Sequence, residues 1–178
     1  ARMADSSPLV SLLVGALGDD VSGRLGDVLE APRELEGLVE QLLAGDIDAL
    51  LFDDATTLER AGRAALGQKK ASGEALLVAR GVSGSAAAEG AAGTRLVDRL
   101  SVRAGYGPVV EALLGGYYMV DDLAAALAAP VVDGVTYVTL DGARVSCGGL
   151  VRVGLDAGEA SGALERKRRN RELEGLGP

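Results

Sequence analysis

Arg24-Leu25-Gly26-Asp27-Val28-Leu29 is answered 71 residues later by Arg95-Leu96-Val97-Asp98-Arg99-Leu100. The same offset carries Glu40-Gln41-Leu42-Leu43 onto Glu111-Ala112-Leu113-Leu114, and Gly45 onto Gly116. Asp53-Asp54 returns as Asp121-Asp122 at an offset of 68, a deletion of three residues. Separated matches on a shared offset point to an internal duplication, and two copies are too few for a solenoid. The expected fold is α+β, with two pseudo-symmetric α/β-like halves at 21–81 and 95–163. A small, polar, periodless linker at 82–94 joins them, a flank at 1–20 precedes them, and a charged helix at 164–178 follows.

Hydrophobic spacing supplies the elements. Leu35, Leu38, Val39, Leu42 and Leu43 fall on one helical face, so a helix is predicted over 32–43 with Pro32 at its first position and Gly45 as its left-handed stop. A buried strand at 47–52 leads to a helix over 57–66, with Leu58, Ala61, Ala65 and Leu66 on one face and Asp53-Asp54 as its cap. A further strand is predicted at 75–79. The second half repeats the order: Pro108 opens a helix that Gly116 stops, a strand follows at 117–120, and Asp121-Asp122 caps a helix that ends before Pro130. It then adds a strand at 135–140, a hairpin turn at Asp141-Gly142 that needs positive φ twice, a return at 143–145 and a strand at 150–153.

Composition excludes whole classes of chemistry. The 178 residues contain no histidine and no tryptophan, a single cysteine (Cys147) and 26 glycines. The commonest general base and metal ligand are therefore missing, and one cysteine makes neither a zinc site nor an internal disulfide. No metal and no cofactor is expected, and no apolar run is long enough to span a bilayer. The net charge of −8 argues against nucleic acid for the body of the chain. Arg166, Lys167, Arg168, Arg169 and Arg171 depart from that average, and setting those five aside leaves a body of −13. The chain reads as an acidic globule with one basic end, and as a piece of something longer. Its Ala-, Gly- and Arg-rich composition fits a GC-rich coding genome.

Candidate motifs divide accordingly. Gly62-x4-Gly67-Gln68-Lys69 has glutamine where a phosphate-binding loop has lysine, so it reads as a helix end. Asp53-Asp54 and Asp121-Asp122 are of the type used for acid–base or metal work, but their place at strand-to-helix junctions favours capping. Tyr106, Tyr117, Tyr118 and Tyr137 read as core or interface residues rather than base-stacking platforms. The basic run suits phosphate-backbone contact, which needs charge and reach without base-reading geometry. Gly142, Gly148, Gly149 and Gly154, around Leu150, Val151, Arg152 and Val153, put several glycines into one short β segment. Glycine there lets another backbone approach closely, so an edge strand pressed against a second chain is expected.

Val138-Thr139-Leu140-Asp141-Gly142, followed by Gly149 and Gly154 at the spacing G-x6-G-x3-G-G, resembles the hinge domain of SMC (structural maintenance of chromosomes) proteins, of bacterial type. Val153 stands where the family has its third glycine. Leu113-Leu114-Gly115 with Met119-Val120-Asp121-Asp122, and Val21-Ser22-Gly23-Arg24-Leu25-Gly26-Asp27-Val28, match further family segments. The resemblance implies a non-enzymatic homodimerisation module with coiled-coil stubs at its ends, cytoplasmic and nucleoid-associated, acting in chromosome condensation and segregation. It implies edge strands pairing across a two-fold axis through Gly142 and 148–154. It also implies weak, non-specific DNA contact at the basic run, and ATPase heads with kleisin and accessory subunits elsewhere in the full-length protein. Two alternatives stay open: a monomeric nucleic-acid-binding α/β domain, and a small enzyme using Asp53 or Asp121.

Overall fold

The computed structural model describes residues 7–68, 72–154 and 163–175, the last stretch with some side chains left aside. The first half runs α1 (Pro8–Leu17), β1 (Gly23–Arg24), α2 (Leu25–Val28), β2 (Leu29–Glu30), α3 (Glu36–Leu43), β3 (Leu50–Phe52), α4 (Ala55–Leu66) and β4 (Leu77–Ala79). The second runs β5 (Thr94–Arg95), a 3-10 turn at Leu96–Arg99, β6 (Ser101–Val102), α5 (Gly107–Leu114), β7 (Tyr117–Met119), α6 (Leu123–Ala128) and β8 (Thr136–Val138). It continues with β9 (Ala143–Ser146) and β10 (Leu150–Val153), and α7 (Ala163–Gly175) closes the chain.

The duplication is visible in the strand register. In the first sheet, ordered β1-β3-β4, Gly23 lies opposite Leu51 and Leu50 opposite Leu77. In the second, ordered β10-β9-β8-β7-β5, Thr94 lies opposite Met119 and Tyr118 opposite Tyr137. Offsets of 71 and 68 carry the β1–β3 pair onto the β5–β7 pair, antiparallel in both halves. The β3–β4 and β7–β8 pairs are both parallel. The short antiparallel ribbon β2–β6 ties the halves, with Leu29 opposite Val102.

Both halves share one core. Leu29, Leu35, Val39 and Leu51 from the first meet Leu96, Val109, Leu114 and Val138 from the second, all nearly free of solvent. On the outer face of the first sheet, α1 and α4 cover Leu50 and Phe52, with Val10 and Leu13 of α1 inside that cluster. On the outer face of the second, Ala126 of α6 packs over Tyr118, Tyr137 and Val145. Segment 82–94 lies along this second cluster: Tyr118 Oη accepts from Ala88 N–H at 2.7 Å, and Ala88, Ala91 and Ala92 contact its apolar residues. Tyr106, Tyr118 and Tyr137 are thus core residues whose polar tips or faces are also used, Tyr106 lying under the Arg80 guanidinium.

Several local expectations are corrected. The helix expected over 32–43 begins as a 3-10 turn at Arg33–Leu35. Its left-handed stop is Ala44, at φ +49°, and Gly45 falls within the 3-10 segment Ala44–Asp48 that replaces the start of the expected strand. Gly116 is likewise no left-handed stop; a Cβ there would run into the Gly134 carbonyl. Leu66, expected on the buried face of α4, is 88% exposed at the last residue of the helix, outside the cluster that Leu58, Ala61 and Ala65 join. Gly67 does end α4, while Lys69 and Lys70 lie outside the described residues.

The hairpin turns are exchanged too. Asp141 lacks the positive φ expected of it; only Gly142 has one, at +109°, in a three-residue loop where Gly142 N–H bonds to Thr139 O. The turn with two consecutive positive φ values is Cys147-Gly148, at +54° and +73°, between β9 and β10. The capping expectation holds for Asp54 and Asp122, whose carboxylates accept from Thr57 N–H and Ala125 N–H, each at 2.8 Å. The Thr57 bonds hold the Asp54 carboxyl below the usual carboxylate range. Asp53 instead stands exposed, accepting from Ser22 Oγ and lying 3.5 Å from Arg80.

Candidate self-association interface

Strand β10 is the outer edge of the five-stranded sheet, paired among the described residues to β9 alone, with Leu150 opposite Ser146 and Val153 opposite Ala143. Its apolar side chains face water: Leu150 is 64% exposed, Val151 44% and Val153 62%. An apolar edge with unpaired backbone groups is a template for another strand, and stable monomers blunt such edges with charge or proline. Here the only charge on the strand is Arg152.

The structure places the motif glycines in contacts within the chain. Gly142 is buried, and a Cβ on it would strike the Gly154 carbonyl, while Gly154 N–H donates to Gly142 O at 2.8 Å. Gly154 in turn leaves no room for a side chain against the Gln41 amide of α3. Gly148 is needed for its φ and lies against Val131. Within the chain, the close backbone at Gly142 is the end of β10, clasped to the β8–β9 turn, while the close neighbours of Gly148 and Gly154 are the side chains of Val131 and Gln41. Gly149 alone faces open space.

Helix α7 is seated rather than free-standing. Leu164 is buried, and its N–H donates to Glu40 Oε1 at 2.7 Å, so a carboxylate of α3 satisfies the first turn of α7. Four residues earlier on α3, Glu36 accepts from Arg168 Nε at 2.9 Å, and Arg168 also reaches Glu172. Lys167 donates to the carbonyls of Gly26 and Leu29 at 2.8 and 3.1 Å. Burial pulls its ammonium below the usual lysine range, against the opposing pull of Glu30 and Asp27. Arg171 pairs with Glu30, and Arg169 is exposed. The Arg166 side chain lies outside the described residues.

The composition gave no hint of Glu36 and Glu40, buried acids that hold α7. Their signal is positional: both stand one helical turn apart on the leucine-rich stripe of α3, where an unpaired carboxylate would be costly.

Among the described residues no helix is long and apolar enough to cross a membrane. Two duplicated halves thus share one core, with an open apolar edge strand and a seated terminal helix. The sequence profile of the SMC proteins flexible hinge domain matches residues 18–129. The chain belongs to that family, whose hinge is a non-catalytic domain that mediates dimerisation in SMC proteins.

Solved structures share the fold. An asymmetric dimer of the Geobacillus stearothermophilus SMC hinge domain matches over 95% of this chain and 72% of that one, at 20% identity and a TM-score of 0.72. The Pyrococcus furiosus SMC hinge domain matches over 86% and 83%, at 18% identity and a TM-score of 0.68. The same hinge with an extended coiled coil matches over 95% and 63%, at 19% identity and a TM-score of 0.67. No curated protein matches in sequence.

Proposed function

We propose that this chain joins two SMC polypeptides as a homodimer, each copy adding its β10 to a sheet edge of the other. The exposed apolar edge formed by Leu150, Val151 and Val153 carries this reading. The edge that receives it is suggested by the duplication. Strand β8 is extended by β9 and β10, whereas its counterpart β4 is the last strand of the first sheet among the described residues. A β10 seated on each β4 of the other copy gives two identical contacts about a two-fold axis.

Light scattering at micromolar concentration is expected to give twice the 18.0 kDa of one chain. An 18.0 kDa species across that range would overturn the reading. In a Cys147→Ser background, mixing Val151→Cys and Leu77→Cys chains with a short bismaleimide should yield cross-linked pairs. Cross-linking by Val151→Cys alone would instead mean that the two β10 strands meet each other.

The same proposal includes weak, sequence-independent DNA contact at the root of α7, and a place on the nucleoid in a longer protein whose ATPase heads, kleisin and accessory partners lie elsewhere. The exposure of Arg169 and of Arg171, which also pairs with Glu30, supports it, whereas Lys167 and Arg168 are more buried against the chain's own carbonyls and carboxylates. Reversing Arg169 and Arg171 to Glu is expected to abolish a binding that weakens steeply with salt. Binding left intact in that variant would remove DNA from the proposal.

A further inference from the structure

Two arginines lie directly opposite each other at the open edge: Arg144 on β9 and Arg152 on β10. Like charges in cross-strand register repel. Neither side chain has a hydrogen bond or ion pair among the described residues, and Arg144 Nε is buried without any acceptor. A buried donor left unmatched is uncommon in a finished structure, and a guanidinium is shaped to receive a carboxylate in two-point fashion. The pair is thus incomplete within one copy.

A pair of acids of complementary charge lies beside β4. Most acids near that strand are spoken for: Asp53 by Ser22 and Arg80, Asp48 by Arg24, Asp54 by the cap of α4. Asp46 and Glu74 have no such cation among the described residues, and they oppose each other. Burial first, and then the charge of Glu74, push the Asp46 carboxyl above its usual range.

We infer that the Arg144–Arg152 pair is the charge-reading element of the self-association surface, and that it receives Glu74 and Asp46 of a second copy. The inference rests on the homodimer reading and adds to it what sets partner choice and register. A net-negative chain with one apolar edge would otherwise pair with any open strand; opposed charge pairs restrict the edge to a matching one.

The test is a charge exchange in the full chain, read by sedimentation equilibrium. Arg152→Glu and Glu74→Arg are each expected to raise the dimer Kd at least about tenfold. An equimolar mixture of the two should recover wild-type affinity, because both contacts of the mixed dimer are again opposite in sign. Arg152→Glu chains that dimerise like wild type, or a mixture no tighter than its components, would overturn the inference while leaving dimerisation standing. A monomeric wild-type chain would overturn dimerisation itself. Should a variant fail to fold, the wild-type dimer decides: its Kd is expected to rise between 50 and 500 mM salt, and an unchanged Kd rejects the charge pairing.

Discussion

Lysine at both Leu150 and Val153 is expected to leave the chain monomeric at concentrations where the parent is a dimer. Burying an apolar side chain of this size contributes about 1.5–3 kcal/mol, and a charged replacement adds a desolvation cost. Two such positions together amount to at least about 3 kcal/mol, more than a hundredfold in Kd. The fold itself should be spared. Leu150 and Val153 are 64% and 62% exposed in the single copy, so their replacement removes little from the core. Light scattering beside a thermal melt reads both quantities. A double variant that still dimerises would show that β10 is not the contact.

Gly142→Ala is expected to act on the opposite quantity, melting the monomer early. Gly142 is buried at φ +109°, and a Cβ would press on the Gly154 carbonyl while Gly154 N–H is bonded to Gly142 O. Backbone strain of this kind costs about 1–3 kcal/mol, and overpacking a similar amount. For a domain of this size a loss of about 3 kcal/mol lowers Tm by roughly 6–12 °C. Gly149→Ala is the control, since nothing lies within 4 Å of its Cβ position. Its melt should match the parent. A Gly142→Ala chain as stable as the parent would mean that the clasp between the β8–β9 turn and β10 is loose.

The duplication was legible because it rests on residues whose chemistry is local. Leu at helical spacing, and Asp at the start of α4 and α6, do the same work in both halves, so the repeat survives as identity. The open strand was legible from Leu150, Val151 and Val153 in a short β-prone run. The exchanged turns were not. Asp-Gly is the stronger hairpin signal, yet the register of Ser146 opposite Leu150 forces positive φ onto Cys147-Gly148. Nor could sequence say that Gly142, Gly148 and Gly154 are filled by the chain's own atoms. Glycine marks a close neighbour without naming it. The basic run suffered from the same silence: Lys167 and Arg168 look like a solvated helix end until Glu36, 132 residues away, comes to meet Arg168.

Helix α3 touches both α7 and the end of β10. Glu36 and Glu40 hold the first turns of α7, and the next residue, Gln41, bears on Gly154 where β10 ends. A displacement of α7 is therefore expected to be felt at the end of β10 through α3 itself.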